Sequence, residues 1–196
     1  MSIVQLTKNP LFLAGRRMFI ARSGLMLSGG AVALLAGSPA LAAQFKKTGA
    51  KAAAGDVNIL NSALAAEHQG IAAYQVGAES GLLQKPVLDL ALTFQSHHKA
   101  HADLLAATVK QLGGTPVSPK QKYDFPVDQL KSQADVLRFA AGLEQGAVSA
   151  YLNAVPAFEN RDLAKAAASI LGDEAMHWAV LRQALGEAPV PAAFVG

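Results

Sequence analysis

The amino-acid sequence predicts an all-α domain, a four-helix bundle made of two antiparallel helix hairpins joined by a long crossover. Three observations predict it. Four stretches carry apolar residues spaced alternately by three and four, the repeat that lines one face of an α-helix. The links at residues 81–85 and 156–161 are short, whereas the middle one, 113–131, is long and holds Pro116, Pro119 and Pro126. A structureless segment of that length is unusual in a compact domain unless it traverses the bundle. Finally, the 196 residues include no cysteine and few aromatics but are 52% hydrophobic. The core must therefore come from closely packed aliphatic helices, with no disulfide framework and no thiolate metal site.

Each helix has its own signals. The first is expected over residues 56–80, with Asp56 as N-cap and Gly81 as stop; its inward stripe reads Val57, Leu60, Leu64, Glu67, Ile71, Tyr74 and Ala78. The second starts near Pro86 and ends at Gly113-Gly114, with Val87, Ala91, Phe94, His98, His101, Leu105 and Leu112 on its stripe. The third begins near Ser132, reads Leu137, Ala141, Glu144, Val148, Tyr151 and Val155, and is ended or kinked by Pro156. The fourth starts at Asp162, reads Leu163, Ala167, Ile170, Glu174, His177, Leu181 and Ala184, and closes at Gly186.

Residues 1–42 stand apart. They hold Lys8, Arg16, Arg17 and Arg22 and no acid, so the formal charge of +3 belongs to this segment, and the remaining 13 basic residues face all 14 acidic ones. A nucleic-acid-binding protein needs a basic face on its folded part, and none is expected here. Arg16-Arg17 precedes Met18-Phe19-Ile20, a mildly apolar stretch from Leu25 to Leu35 follows, and Ala40-Leu41-Ala42 has the small-x-small form that signal peptidases accept. Ser28, Gly29, Gly30, Gly37 and Pro39 interrupt the apolar run, whereas a membrane span needs ~20 predominantly apolar residues. Arg-Arg-Met-Phe-Ile resembles a twin-arginine export signal; a general secretory signal or an uncleaved anchor is the alternative. The expected organisation is a signal peptide over 1–42, a polar linker over 43–55 and the helical domain over 56–196. Export through the twin-arginine machinery, to the periplasm or out of the cell, goes with it.

The residues that carry chemistry are polar ones on apolar stripes. Glu67, His98, His101, Glu144, Glu174 and His177 each lie near the middle of a helix, so all six can reach one level of the bundle. Carboxylates are almost never fully buried without a partner, and an isolated buried charge costs several kcal/mol. No Lys or Arg shares these stripes. A bound cation is the simplest remedy, and imidazole and carboxylate are suitable ligands for one. The two halves also repeat each other. Glu67 precedes Tyr74 by seven and Glu144 precedes Tyr151 by seven; Glu67 precedes His101 by 34 and Glu144 precedes His177 by 33. Each half supplies a Glu on its first helix and a pair at i, i+3 on its second, a spacing that shares one helix face.

On these residues the chain resembles the ferritin-like superfamily, and within it the exported proteins with twin-arginine signals; the resemblance covers residues 56–186. It implies a fold in which two helices each give a Glu and the other two each give Glu-x-x-His, together holding two iron or manganese ions. Glu67 and Glu144 match the single glutamates, Glu174 and His177 match one pair, and His101 matches the histidine of the other. His98 departs from the pattern, standing where a bridging glutamate is usual. Three Glu and three His carry one negative charge fewer and offer one bridge fewer. Two ions are expected, and a single iron, manganese, zinc or copper ion is the alternative. His97 and His68 beside the stripe, with Asp103 and Asp173, are candidates for hydrogen bonding to the ligands, and either His for replacing one. Tyr74, Tyr151, Met176 and Trp178 are expected to serve packing, and Glu79 and Glu159 to lie at the surface.

The resemblance implies redox chemistry on O2 or a peroxide: ferroxidase-like, peroxidase-like or catalase-like. Any electron donor is external, because a built-in rubredoxin domain needs cysteines. Two other readings compete: a non-catalytic metal-binding or stress-related bundle, and a metal-free interaction module. Residues 188–196 are Pro/Ala-rich with no fifth amphipathic helix, so caged iron storage is not expected. A homodimer is compatible with such a bundle.

Overall fold

The computed structural model describes residues 50–195, with side-chain surroundings from Ala54 onward. The expected signal peptide, with its Arg16-Arg17 pair, and linker residues 43–49 lie outside the described residues. Four α-helices follow in order: α1 (Ala50–Glu79), α2 (Lys85–Gln111), α3 (Gln133–Ala154) and α4 (Arg161–Ala184). Short 3-10 turns stand at Val127–Gln129 and Val155–Ala157, the second holding Pro156 where α3 closes. There is no strand among the described residues.

The helix ends follow local chemistry. Gly81 and Gly113 take φ of 70° and 79° after α1 and α2, a left-handed conformation that terminates a helix and suits a residue without Cβ. Pro86 sits in the first turn of α2, where a missing N–H is no loss. Ser132 caps α3 by accepting from the Asp135 N–H, and the Asp135 carboxylate accepts in return from the Ser132 hydroxyl and the Lys131 N–H. Asn160 caps α4 by accepting from the Asp162 N–H at 2.8 Å, so α4 begins one residue before the expected Asp162.

α1 starts earlier than expected. Ala-rich residues ahead of Asp56 are strong helix formers and carry the helix back to Ala50. Asp56 is then an interior residue, 4% exposed, rather than an N-cap. Its carboxylate accepts from the backbone N–H groups of Glu159 (2.9 Å) and Asn160 (3.1 Å), tying α1 to the link between α3 and α4.

The hairpins pack as α1 on α2 and α3 on α4. Tyr74 of α1 reaches Glu144 of α3, while Tyr151 of α3 reaches Glu67 of α1. Moving forward along one helix therefore moves backward along the other, and α1 and α3 are antiparallel. The crossover traverses the bundle along α1. Gly114 lies so close to Val57 that a Cβ on it would stand 2.7 Å from a valine methyl. Asn61 donates to the Thr115 carbonyl and accepts from the Val117 N–H. Farther along, Val127 and Leu130 share a surface pocket with Val76 and Glu79.

Two apolar clusters fill the interior. One centres on Leu60, Leu64, Leu105, Val109, Leu163 and Ile170; the other holds Tyr74, Phe94, Leu137 and Leu181. Met176, expected in the interface, is 60% exposed, whereas Trp178 packs against the second cluster. None of the described helices is long and apolar enough to cross a membrane.

Asp56 generates the first prediction. Asp56→Ala leaves two backbone donors without their carboxylate and is expected to cost about 2–4 kcal/mol, since bonds to a charged group are each worth roughly 1.5–3 kcal/mol. A urea titration checks it through a lower midpoint at unchanged slope.

Candidate metal centre

All six polar stripe residues come together between the two apolar clusters. Glu67 and Glu144 project from α1 and α3, His98 and His101 from α2, and Glu174 and His177 from α4. Glu67, His98, Glu144, Glu174 and His177 are each at most 4% exposed, and His101 is mostly buried. They form two overlapping quartets, Glu67–His98–His101–Glu174 and His98–Glu144–Glu174–His177, in which one donor atom from each residue lies within 4.8 Å of the others. His98 and Glu174 belong to both. The His98 ring spans the two, with Nδ1 at 2.8 Å from Glu67 Oε2 and Nε2 at 3.3 Å from Glu144 Oε1.

Two atoms show that the donor set suits a cation. His101 Nδ1 and Glu174 Oε1 are buried without any hydrogen-bond partner, although they stand 3.1 Å apart. Native interiors rarely leave such atoms unsatisfied. A ligand-rich pocket of nitrogen and carboxylate oxygen suits iron, manganese or zinc, and a cation there would satisfy both orphans at once.

The metal-free cluster has its own charge balance. Burial alone would push each imidazole down. At His98 the carboxylates of Glu144 and Glu67 outweigh it and raise the ring to about 10. At His101 those of Asp173, Glu174 and Glu67 raise it to about 11, and at His177 those of Glu144 and Glu174 raise it to about 9. Burial would likewise raise the acids, but His101 and His98 hold Glu67 below its usual range. His177 and His98 hold Glu144 far below it. Three imidazolium rings thus face three carboxylates. A bound cation is one remedy for the buried acids and protonated histidine is the other, so ligation here would be an exchange of metal for protons.

Around the six stands a layer of Tyr74 and Tyr151, which sequence reasoning assigned to packing, and of Asp173 and His97, which it offered as hydrogen-bonding partners of the ligands. Tyr151 donates to Glu67 Oε1 at 2.5 Å, which leaves Oε2 turned toward His98. Tyr74 donates to Glu144 in the matching contact from the other helix. Burial, with the facing Glu144 or Glu67 carboxylate, pushes both phenols well above 10, so each remains a hydrogen-bond donor. The paired seven-residue spacing from Glu to Tyr was the available signal. Asp173 lies 3.4 Å from His101 Nε2 and 3.3 Å from His177 Nε2. One carboxylate thereby orients both rings with Nδ1 inward, the arrangement by which a carboxylate positions a ligating imidazole. Its place four residues before His177 was the signal.

His97 stands at the outer edge, its Nδ1 2.9 Å from His177 Nε2 and 3.2 Å from Asp173, and Phe94 stacks on His177 at 4.0 Å between ring centroids. Gly70 makes room for the centre, because a Cβ there would lie 3.2 Å from His98 Nδ1. His68 and Asp103 are not brought in. The His68 ring, one residue past Glu67, turns to the Val117 carbonyl of the crossover at 3.3 Å, and Asp103, two residues from both His101 and Leu105, is exposed on the far face of its helix.

These shifts imply a pH window for the metal-free protein. Raised histidines contribute stability that is complete below their unfolded value of 6.5 and lost as pH rises through about 9 to 11. Depressed glutamates contribute stability that is complete above 4.5 and lost as pH falls. Thermal stability of the metal-free protein is therefore expected to peak between pH 4.5 and 6.5 and to fall steadily on the alkaline side. Melting curves across pH check it, and a maximum above pH 8 would contradict the charge balance described.

Comparisons with known proteins bear on the family and the fold. A family model described as the ferritin-like domain matches residues 55–187. A solved structure of a conserved hypothetical protein, rv2844, from Mycobacterium tuberculosis is similar at 27% identity and a TM-score of 0.64, covering 73% of this chain and 99% of that one. A structure described as ferritin-like, diiron-carboxylate proteins from Bacillus anthracis str. Ames is similar in fold at 22% identity and a TM-score of 0.60, covering 68% of this chain and 97% of that one. No curated protein matches. With four helices in two hairpins and a family match over most of the described residues, this chain belongs to the ferritin-like domain family.

Proposed function

We propose that this protein binds two iron or manganese ions between its hairpins and uses them in redox chemistry with O2 or a peroxide. The observation that carries the reading is the pair of overlapping quartets that share His98 and Glu174. The orphaned Glu174 Oε1 and His101 Nδ1 lie within the first. Glu67 and His101 would hold one ion, Glu144 and His177 the other, with His98 and Glu174 between them. Charge supports two ions despite the histidine in place of a glutamate. Glu67, Glu144 and Glu174 supply three negative charges and Asp173, at the backs of both rings, supplies a fourth. Four negative charges match two divalent cations.

When bound, such ions supply one-electron chemistry and a Lewis-acidic site for an oxygen ligand. The protein's part is positional. Tyr151 and Tyr74 each hold one carboxylate by a donated proton, and Asp173 keeps the His101 and His177 rings turned so that Nδ1 faces the centre. Phe94 backs the His177 ring by stacking on it. The three imidazole protons leave as cations arrive, so loading is expected to release about three protons per chain near neutral pH.

Loading the mature protein with Fe(II) tests the proposal. Expected are two ions per chain, faster oxidation than free Fe(II) by O2 or peroxide, and loss of both in the Glu67→Ala/Glu144→Ala double variant. Stoichiometric binding without accelerated oxidation would instead favour the non-catalytic metal-binding or stress-related reading. Absence of binding would favour the metal-free module. A di-manganese loading run in parallel separates the two metals.

Export belongs to the same proposal. Arg16-Arg17-Met18-Phe19-Ile20 supports passage through the twin-arginine machinery, a route whose signals are read as an address rather than an anchor. A folded cargo would carry its metal across. With Arg16→Lys and Arg17→Lys together, the chain is expected to stay in the cytoplasm on fractionation; unchanged export would remove this part of the reading.

A further inference from the structure

The geometry points to a binding groove for a small, uncharged, largely apolar organic molecule between α1 and α3, opening directly onto the candidate metal centre. This deepens the proposed function, and rests on it only where it places the molecule beside a metal. A cavity of about 230 Å³ lies between these two helices, and its floor is Glu67, His98 and Glu144. Those three residues span both quartets. The wall on α3 is built from Gly142 and Gly146, one helical turn apart.

These glycines have no role in the fold of the chain itself. Their φ angles are not positive, and a Cβ added at either would meet nothing within 4 Å. A helix-interior glycine costs roughly 1 kcal/mol relative to alanine, so two of them weaken α3 with no packing return. Gly70 on the facing helix differs, since His98 fills the space beside it. What Gly142 and Gly146 do provide is an open wall over buried polar side chains that are at most 4% exposed.

The size and lining set the ligand class. A cavity needs only about 10–15 Å³ of such space to hold one water, so the groove exceeds what dioxygen or peroxide needs and suits a small organic molecule. No Lys or Arg lines it, and Gln69 is the one neutral polar side chain apart from Tyr74 among the lining residues. The Glu67 and Glu144 carboxylates and the His98 ring on its floor are already paired with one another and with Tyr151 and Tyr74, so a charged ligand finds no unpaired counter-charge there. A mostly apolar pocket with a few convergent polar groups at its base is the usual form of a small-molecule site.

Phenol and benzylammonium are suitable probes, the first neutral and the second charged. Ligand-observed NMR on the metal-free full chain reads the groove alone. The visible spectrum of the Co(II)-loaded protein reads its contact with the centre. Expected are saturable phenol binding in both forms, a shift of the Co(II) bands on binding, and no response to benzylammonium. Gly146→Leu is expected to fill the groove, weaken phenol binding about tenfold and leave Co(II) stoichiometry unchanged. Gly146→Ala guards against a folding artefact, since its methyl meets no neighbour, and should bind phenol nearly as well as the parent. Undetectable phenol binding, or undiminished binding to Gly146→Leu, overturns the inference. So does a parent dimer that Gly146→Leu converts to a monomer, because a second copy of the chain would then be the occupant. If Co(II) fails to bind while phenol binds the metal-free chain at this place, the groove stands and the metal reading falls.

Discussion

Three carboxylates and three imidazoles share the dry interior of this bundle, and the surrounding structure is arranged around the need to keep them compensated. An uncompensated buried charge would cost several kcal/mol, comparable with the whole stability of a small domain. Each member therefore has an assigned neighbour: Glu67 with His98 and Tyr151, Glu144 with His98 and Tyr74. His101 and His177 lie within reach of Asp173. The leftover valences, on His101 Nδ1 and Glu174 Oε1, are those a cation would take. Proton-compensated and metal-compensated states use the same side chains, so the site can be stable when empty and still be ready to exchange protons for metal.

The tyrosines show how this layer also ties the fold together. The closest helix pairing is within each hairpin, and α1 meets α3 across a looser gap. Two phenol–carboxylate bonds cross that gap in opposite directions, at the level of the centre. Asp56 does similar work near the N-terminal half of α1, where it takes the backbone N–H groups that lead into α4. These polar bonds add to the two apolar clusters, each of which draws residues from both hairpins, and a cavity between α1 and α3 is lined by Glu67, His98 and Glu144.

Much of this was written in the residue pattern. Helical periodicity places Glu67, Glu144, Glu174 and His177 on inward stripes because one face of a helix recurs every three to four residues, and that rule depends on local geometry alone. Link lengths likewise foretold the hairpins and the crossover. Local rules misjudged residues whose partners are distant in sequence. Asp56 looked like an N-cap because its actual partners, 103 and 104 residues away, leave no local trace. Tyr74 and Tyr151 looked like packing because an aromatic on an apolar stripe usually is. Their hydroxyls find acids 70 and 84 residues away. His68 looked like a possible partner of the site until the crossover took it.

The six-residue cluster, then, is a property that the sequence by itself determined: polar residues at core positions in mid-helix have nowhere to go but the bundle interior. Its charge state, its supporting layer and its open side were decided only by tertiary structure. Those depend on distances between helices and on which ring nitrogen or carboxylate oxygen faces which neighbour. Electrostatic compensation changes over a few ångströms, a scale that periodicity along one helix does not specify.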